Sequence, residues 1–267
     1  VGRAGADVDI DVGVDVSATG RGSQYSDNGA YYTDRRVART IVAQLPLEYG
    51  DVVLEPHAGG GAFLEALIAR NEREDLGLKL LAMDVDPDCP TMTVKRPRFR
   101  RSVQSFLTVP VDWTNPKTGE THRLQTADPY PASWPRPDWV IGNPPYGVMP
   151  PPRDPKTDRK VAVPVAEYHA WRALELVNRH LVFVLRAGFM ASSNRHRGPI
   201  NGKPAGLFHV HPTRGEWKLS PRPSYTGGGN DMATYVAAWW DSRWSNAGGD
   251  PHFASGCGVL LWKGVPG

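Results

Sequence analysis

The stretch Val52-Val53-Leu54-Glu55-Pro56-His57-Ala58-Gly59-Gly60-Gly61-Ala62-Phe63-Leu64 reads as a short apolar strand, a glycine turn and the opening of a helix. Glycines let backbone approach a ligand closely, and a helix N-terminus presents N–H groups with no intrahelical partner. In an open α/β sheet, ligands sit at such carboxyl ends of strands. A glycine turn also serves plain tight turns, so it does not decide by itself. A phosphate loop fits poorly: no Gly-Lys-Ser/Thr ending follows, and Glu55 sets a carboxylate where a phosphate would be repelled. A cationic, ribose-bearing ligand suits the turn better.

Outward from this turn, strand and helix patterns alternate. The spacing predicts a helix over 34–45 with Thr33 as its cap, a strand over 52–54 and a helix over 62–70. Strands are expected over 79–83 and 139–141, a helix over 165–178, a strand over 181–185, and two last strands over 217–219 and 234–240. Short apolar strands alternating with helices argue for a mainly parallel sheet covered on both faces. The helix is expected to pack through Tyr168, Trp171, Leu174 and Val177. Residues 107–137 and 147–164, rich in Pro with Trp or charge, read as long loops, which in α/β domains are often functional. Residues 1–24 read as a mobile tail ahead of the folded part at 25–267, in which 194–214 is a third loop insertion.

Asp84 ends the second strand, where a carboxylate can accept both hydroxyls of a ribose or simply face solvent in the Asp84-Val85-Asp86-Pro87 turn. The third strand runs into Gly142-Asn143-Pro144-Pro145-Tyr146. Two prolines after an Asn make a stiff turn whose carbonyls have few other partners. The Asn143 side-chain oxygen and the Pro144 carbonyl can both accept from one amino group, aligning its lone pair for attack on a methyl sulfonium. Tyr146 can stack on the ring that bears the amine, worth about 1–3 kcal/mol per base.

Together these residues resemble the amino-methyltransferase family of DNA methyltransferases, in the arrangement of adenine-specific bacterial and phage enzymes. The resemblance covers about residues 25–242. It rests on Glu55-Pro56, Ala58-Gly59, Gly61 and Phe63-Leu64, then on Asn143-Pro144-Pro145-Tyr146. Tyr31-Tyr32-Thr33-Asp34 is similar to the family's aromatic-Thr-Pro segment, with Asp34 in place of Pro, and 220–226 with Asp231 and Tyr235 resembles a late segment of phage-like members.

The resemblance implies a Rossmann-like class I fold with a mainly parallel seven-stranded sheet. It implies S-adenosylmethionine as cofactor, held by Tyr32, Thr33, Glu55, Pro56, Ala58, Gly59, Gly61 and Phe106, with Asp84 on its ribose. Asn143, Pro144, Pro145 and Tyr146 would form the catalytic turn that holds the target adenine for N6 methylation. Two positions depart from the pattern: His57 stands where a smaller residue is usual, and Ser105 stands where an Asp usually grips the cofactor's adenine amine.

The net charge of +3 is uneven, because 1–24 carry four aspartates against two arginines. Arg153, Lys156, Arg159 and Lys160 follow the Asn-Pro-Pro-Tyr turn directly, and with Arg195, Arg197 and Tyr225 they are candidate DNA contacts. A solvated mixed surface explains such clusters equally well. The resemblance makes DNA the partner. No target-recognition domain of the usual size stands out, so sequence recognition is left to the three loops, a second copy or a separate specificity chain, as in restriction-modification systems. RNA adenine and protein glutamine are the competing substrates, and a degenerate nucleic-acid-binding domain is the competing non-enzymatic reading.

No apolar run approaches the roughly 20 residues that span a bilayer. Cys89 and Cys257 lie too far apart to suggest a disulfide framework, which fits a reducing cytoplasm, and the resemblance implies that of a bacterial or phage-infected cell. His209 and His211 have spacing suited to a metal on a strand, but no Cys or acid joins them, so no metal is expected.

Overall fold

The computed structural model describes residues 33–87, 89–93, 99–104, 106, 111–114, 121–124, 130–145, 165–199, 206–220, 234–243 and 256–261. Tyr32, Ser105, Tyr146, Arg153, Lys156, Arg159, Lys160, Tyr225 and the expected tail at 1–24 lie outside them.

The described residues open with α1 (Arg35–Gln44), whose cap is Asp34 and not the expected Thr33. Asp34 Oδ1 accepts the Arg36 N–H at 2.7 Å, relieving one of the helix's unpartnered donors. Val37, Ala38, Ile41 and Val42 form its buried face. Next come β1 (Val52–Glu55), α2 (Ala62–Glu74), β2 (Lys79–Asp84) and a single turn, α3 (Pro90–Thr93). Arg70 of α2 donates to the Val42 and Leu45 carbonyls at 2.5 and 2.7 Å. It thus closes the end of α1, where positive charge is favoured.

β3 (Phe99–Val103), β4 (Val111–Thr114) and β5 (Thr121–Leu124) follow. β4 and β5 form an antiparallel pair inside the stretch read as loop, and β3 pairs parallel with β2 in a stretch for which no strand was expected. The chain then returns through β6 (Trp139–Gly142), α4 (Val165–Leu176) and β7 (His180–Arg186). Three short turns, α5 (Ala187–Met190), α6 (Ser193–His196) and α7 (Leu207–Val210), lead to β8 (Thr213–Ser220), β9 (Tyr235–Asp241) and β10 (Gly256–Leu261). The expected insertion at 194–214 therefore contains two helical turns and the start of β8. His209 sits on a turn and not on a strand, and the His211 ring packs edge-on against Trp171 at 5.4 Å.

The strand order is β10-β8-β9-β7-β6-β1-β2-β3. From β3 to β7 every pairing is parallel, while β9 runs antiparallel between β7 and β8. This is the expected mainly parallel α/β sheet, extended by an eighth strand, β10, beside β8.

Side chains alternate across each strand and so divide the interior in two. Val53, Leu80, Ala82, Trp139, Ile141, Val182 and Val184 face the layer of α1 and α2. Leu54, Leu81, Met83, Val140, Leu181, Phe183 and Leu185 face the layer of α4. Each such fully buried aliphatic or aromatic side chain stabilises the fold by about 1.5–3 kcal/mol. The buried residues of α4 are Ala166, His169, Ala170, Ala173, Leu174 and Leu176, with Val177 buried just after its end. Tyr168 and Trp171, expected to lead the buried face, are only part-buried at its border. Small alanines let the helix lie close on the sheet, which displaces the bulky rings to the margin.

The amino ends of the central strands are clamped by charge. Asp51 accepts from the Trp139 indole N–H at 2.9 Å and pairs with Arg179, and Asp138 accepts the Val52 N–H at 3.0 Å. The carboxyl ends carry the candidate site. There β1 lies between β2 and β6, and the chain leaves β1 in one direction and returns on the other side. Such a switch point opens a crevice above the sheet.

Candidate functional site

The glycine turn is built by its neighbours. α2 begins at Gly61, whose φ of 79° is reached readily only by glycine. A Cβ there would also lie 2.9 Å from Thr91 Oγ1. Gly61 offers no side chain to cap the helix, and Glu55, at the end of β1, takes that place. Its Oε2 accepts the Leu64 N–H at 3.1 Å, at the end of the helix where unpartnered N–H groups point. Glu55 is 3% exposed, and burial holds its carboxyl well above the ordinary carboxylate range despite the pull of that N–H.

Asp84 ties β2 to the turn. Its Oδ2 accepts the Gly59 N–H at 2.7 Å and its Oδ1 the Asp86 N–H at 2.9 Å. Burial raises its pKa, while the backbone donors at Asp86, Gly59 and Val85 lower it. Each oxygen has further acceptor capacity, which suits a diol. Thr91 was not anticipated: it is buried, and its hydroxyl lies 2.9 Å from the Gly59 carbonyl and 3.2 Å from that of Ala58. No periodicity or motif marks a lone Thr in a four-residue turn.

β6 delivers the Asn-Pro-Pro turn beside this loop. Pro144 is buried, Asn143 is part-buried and Pro145 is exposed. The two turns meet at Gly142, where an added Cβ would lie 3.4 Å from His57 Nδ1 and 3.5 Å from Pro56 Cδ.

His57 itself joins a buried partner that the sequence reading did not select. Its Nε2 lies 2.7 Å from His169 Nδ1, one ring donating and the other accepting. Burial lowers both pKa values, His57 well below the usual imidazole range and His169 to about 3, so both rings are neutral near pH 7. Phe106 stacks parallel to His169 at 5.9 Å and meets His57 edge-on at 5.8 Å. With 2% exposure, Phe106 is a wall of the site rather than an open platform.

Thr33 is part-buried beside the cap of α1. Arg195 is not available to a polyanion. It is 6% exposed, its Nε pairs with Glu167 at 2.8 Å, its Nη1 donates to the Phe189 carbonyl at 2.9 Å, and its guanidinium lies over the Phe189 ring. Its charge braces the α5–α6 segment against α4, which corrects its reading as a DNA contact. Arg197, two residues on, is part-buried. Among the described residues, no group of three His, Cys, Asp or Glu side chains is placed to hold a metal ion. No helix of theirs is long and apolar enough to cross a membrane.

No family model matches the chain, and no curated protein matches it by sequence. Solved structures do share its fold. One is a protein from Listeria monocytogenes assigned to the class I S-adenosylmethionine-dependent methyltransferases, with a TM-score of 0.54 and 12% identity over 88% of this chain. Another is a modification subunit assigned to a type I restriction enzyme of Vibrio vulnificus, with a TM-score of 0.50 and 15% identity over 81% of this chain. The chain spans 66% of the first protein and 45% of the second. The sheet is thus that of the class I methyltransferase fold.

Proposed function

We propose that the chain is an S-adenosylmethionine-dependent methyltransferase that methylates the N6 amino group of adenine in DNA. The observation that carries this reading is the meeting, at one switch point, of the Gly59–Gly61 turn, Asp84 and the Asn143-Pro144-Pro145 turn, through the Asp84–Gly59 hydrogen bond and the His57–Gly142 approach.

The residues suit the cofactor. A left-handed Gly61 with no room for a Cβ leaves bare backbone at the turn, and the acceptor oxygens of Asp84 favour a ligand with a ribose over a phosphate. Asp84 would hold the ribose hydroxyls, Gly59 and Gly61 would admit the ligand to the backbone, and Thr33 with Tyr32 would hold the methionine end. When bound, the cofactor supplies a methyl group on a positively charged sulfur. Glu55 works from behind, fixing the start of α2, while Pro56 and Ala58 shape the turn and Phe106 closes its wall.

Asn143 and Pro144 would accept the two amine hydrogens, keeping the nitrogen's lone pair free for the methyl group. Tyr146 would stack on the extruded base, which costs a few kcal/mol to unstack. Most of the acceleration then comes from holding two partners in line, so no strong base is needed before attack. The amine's proton leaves afterwards to water or a carbonyl. Arg153, Lys156, Arg159, Lys160 and Arg197, with Tyr225, would hold the opened strand. Likeness to a modification subunit favours a separate specificity chain or a second copy as partner.

The test is methyl transfer from labelled S-adenosylmethionine to unmethylated plasmid DNA, followed by nucleoside analysis. The expected product is N6-methyladenine, and Asn143→Ala is expected to slow transfer by about 100- to 1,000-fold while cofactor affinity holds. Label found only in cytosine, in RNA or in a protein glutamine overturns the substrate assignment.

A further inference from the structure

His57 lies two residues before Gly59, on the turn assigned to the methyl donor, and its Nδ1 lies 3.4 Å from where a Cβ on Gly142 would stand, Gly142 being the residue before Asn143 on the turn assigned to the acceptor. Pro56 reaches the same place through Cδ, at 3.5 Å from that Cβ position, but His57 is the one of the two that also bonds to α4. Its position is held on several sides. His169 of α4 bonds its Nε2 at 2.7 Å with the rings near perpendicular, Phe106 meets it edge-on, and Phe183 of β7 packs at 5.8 Å. The opposite nitrogen, Nδ1, is closed off from solvent and makes no hydrogen bond among the described residues, and it faces the side of Gly142 where a Cβ would stand. A buried polar atom left without a partner costs about 1–3 kcal/mol, and a purely structural spacer would be better made of carbon. The imidazole meets two demands together: a bond to α4 on one edge and a flat, thin ring against a glycine on the other.

We propose that His57, oriented by His169, is a positioning residue that sets the separation between the methyl-donor turn and the methyl-acceptor turn. The proposal rests on the methyltransferase reading above. In-line transfer depends on donor and acceptor being held near contact, and displacement by about 1 Å costs on the order of 100-fold in rate. Neither imidazole needs to touch a reacting atom or accept a proton.

The test compares His57→Leu, His169→Leu and His169→Asn for single-turnover transfer to DNA, the KM for DNA, calorimetric cofactor affinity and thermal unfolding. Both leucine variants are expected to slow transfer by about 100-fold, with cofactor Kd and KM within about threefold of the parent. In His169→Asn the amide takes the place of Nδ1, and most of the lost rate is expected to return. Unchanged rates in the leucine variants overturn the proposal. So does a loss of cofactor affinity as large as the loss of rate, or an asparagine variant as slow as the leucine one. Should a leucine variant fail to fold, His57→Gln carries the test. Its amide reaches the Nε2 position and keeps the His169 bond but gives up the edge against Gly142, so slow transfer with intact cofactor binding supports the spacer and full speed overturns it. Parent protein that transfers no methyl group defeats the functional reading and the proposal with it. An active parent with equally active variants defeats the spacer alone.

Discussion

Replacing Gly61 with alanine tests how the glycine turn is built, because two separable costs arise. The first is conformational: a φ of 79° costs an L-residue about 1–2 kcal/mol. The second is contact, since the new Cβ would lie 2.9 Å from Thr91 Oγ1. Thr91 is 3% exposed, and its hydroxyl is engaged by the Ala58 and Gly59 carbonyls, so it gives way only by surrendering a hydrogen bond worth about 1 kcal/mol. Gly61→Ala is therefore expected to destabilise the protein by about 2–3 kcal/mol. For a chain of this size that lowers Tm by roughly 5–10 °C. In a Thr91→Ala background the contact is gone and only the conformational cost persists, so the two substitutions are expected to couple by about 1 kcal/mol. Thr91→Ser keeps the hydroxyl and gives no relief. Urea unfolding of the four proteins in the cycle measures the coupling. Additivity within about 0.3 kcal/mol refutes the contact as the reason for glycine at this position.

Asp84→Asn keeps the shape but loses the charged acceptor, and cofactor affinity measured by calorimetry is expected to weaken by about 10- to 100-fold; unchanged affinity removes Asp84 from the site. Arg195→Met strands Glu167, and a loss of about 3 kcal/mol in unfolding free energy is expected with the salt slope of DNA binding unaltered; a slope smaller by about one unit with full stability would return Arg195 to the DNA interface. Acid is expected to weaken the fold through His57 and His169. Their folded pKa values are depressed, so the unfolded chain binds more protons, and stability present above about pH 6.5 is lost as pH falls towards the folded pKa, about 3 for His169. Each contributes up to about 1.4 kcal/mol per pH unit. Urea unfolding between pH 7 and 4.5 measures this, and an equally steep loss in His169→Asn contradicts it.

The central strands were legible because each is a short apolar run ending at a turn residue: Val52 to Glu55 before Pro56, Lys79 to Asp84 before Pro87, Trp139 to Gly142 before Asn143. The sheet margin was not. Phe99-Arg100-Arg101-Ser102-Val103 has no buried face, with its side chains part or fully exposed, and it is a strand through its backbone pairing to β2. In the same way Val111–Thr114 and Thr121–Leu124 pair with each other outside the main sheet, amid prolines that read as loop. Asp84 and the glycine turn were legible as a candidate site, and the structure gives the two carboxyl groups different partners: Glu55 faces the start of α2, and Asp84 holds Gly59. His169 carries no signal of its own in the sequence, because Tyr168 and Trp171 give α4 an aromatic stripe beside it. Its partnership with His57 spans 112 residues, beyond the reach of any local pattern.

The placement of β9 has a consequence for synthesis. β7 lies against β9 through seven residue pairs, His180↔Asp241 to Arg186↔Tyr235, and five of its residues, Leu181 to Leu185, are wholly buried. Until Asp241 leaves the ribosome, a nascent chain holds this apolar strand with one edge open to any other extended chain. β8 emerges before β9 yet lies beyond it in the sheet, so docking on β7 alone would take the slot that β9 must fill. The closing step is an insertion, and it comes late. Slow translation or a stop codon between residues 186 and 241 is thus expected to yield chains that associate edge to edge before they can fold.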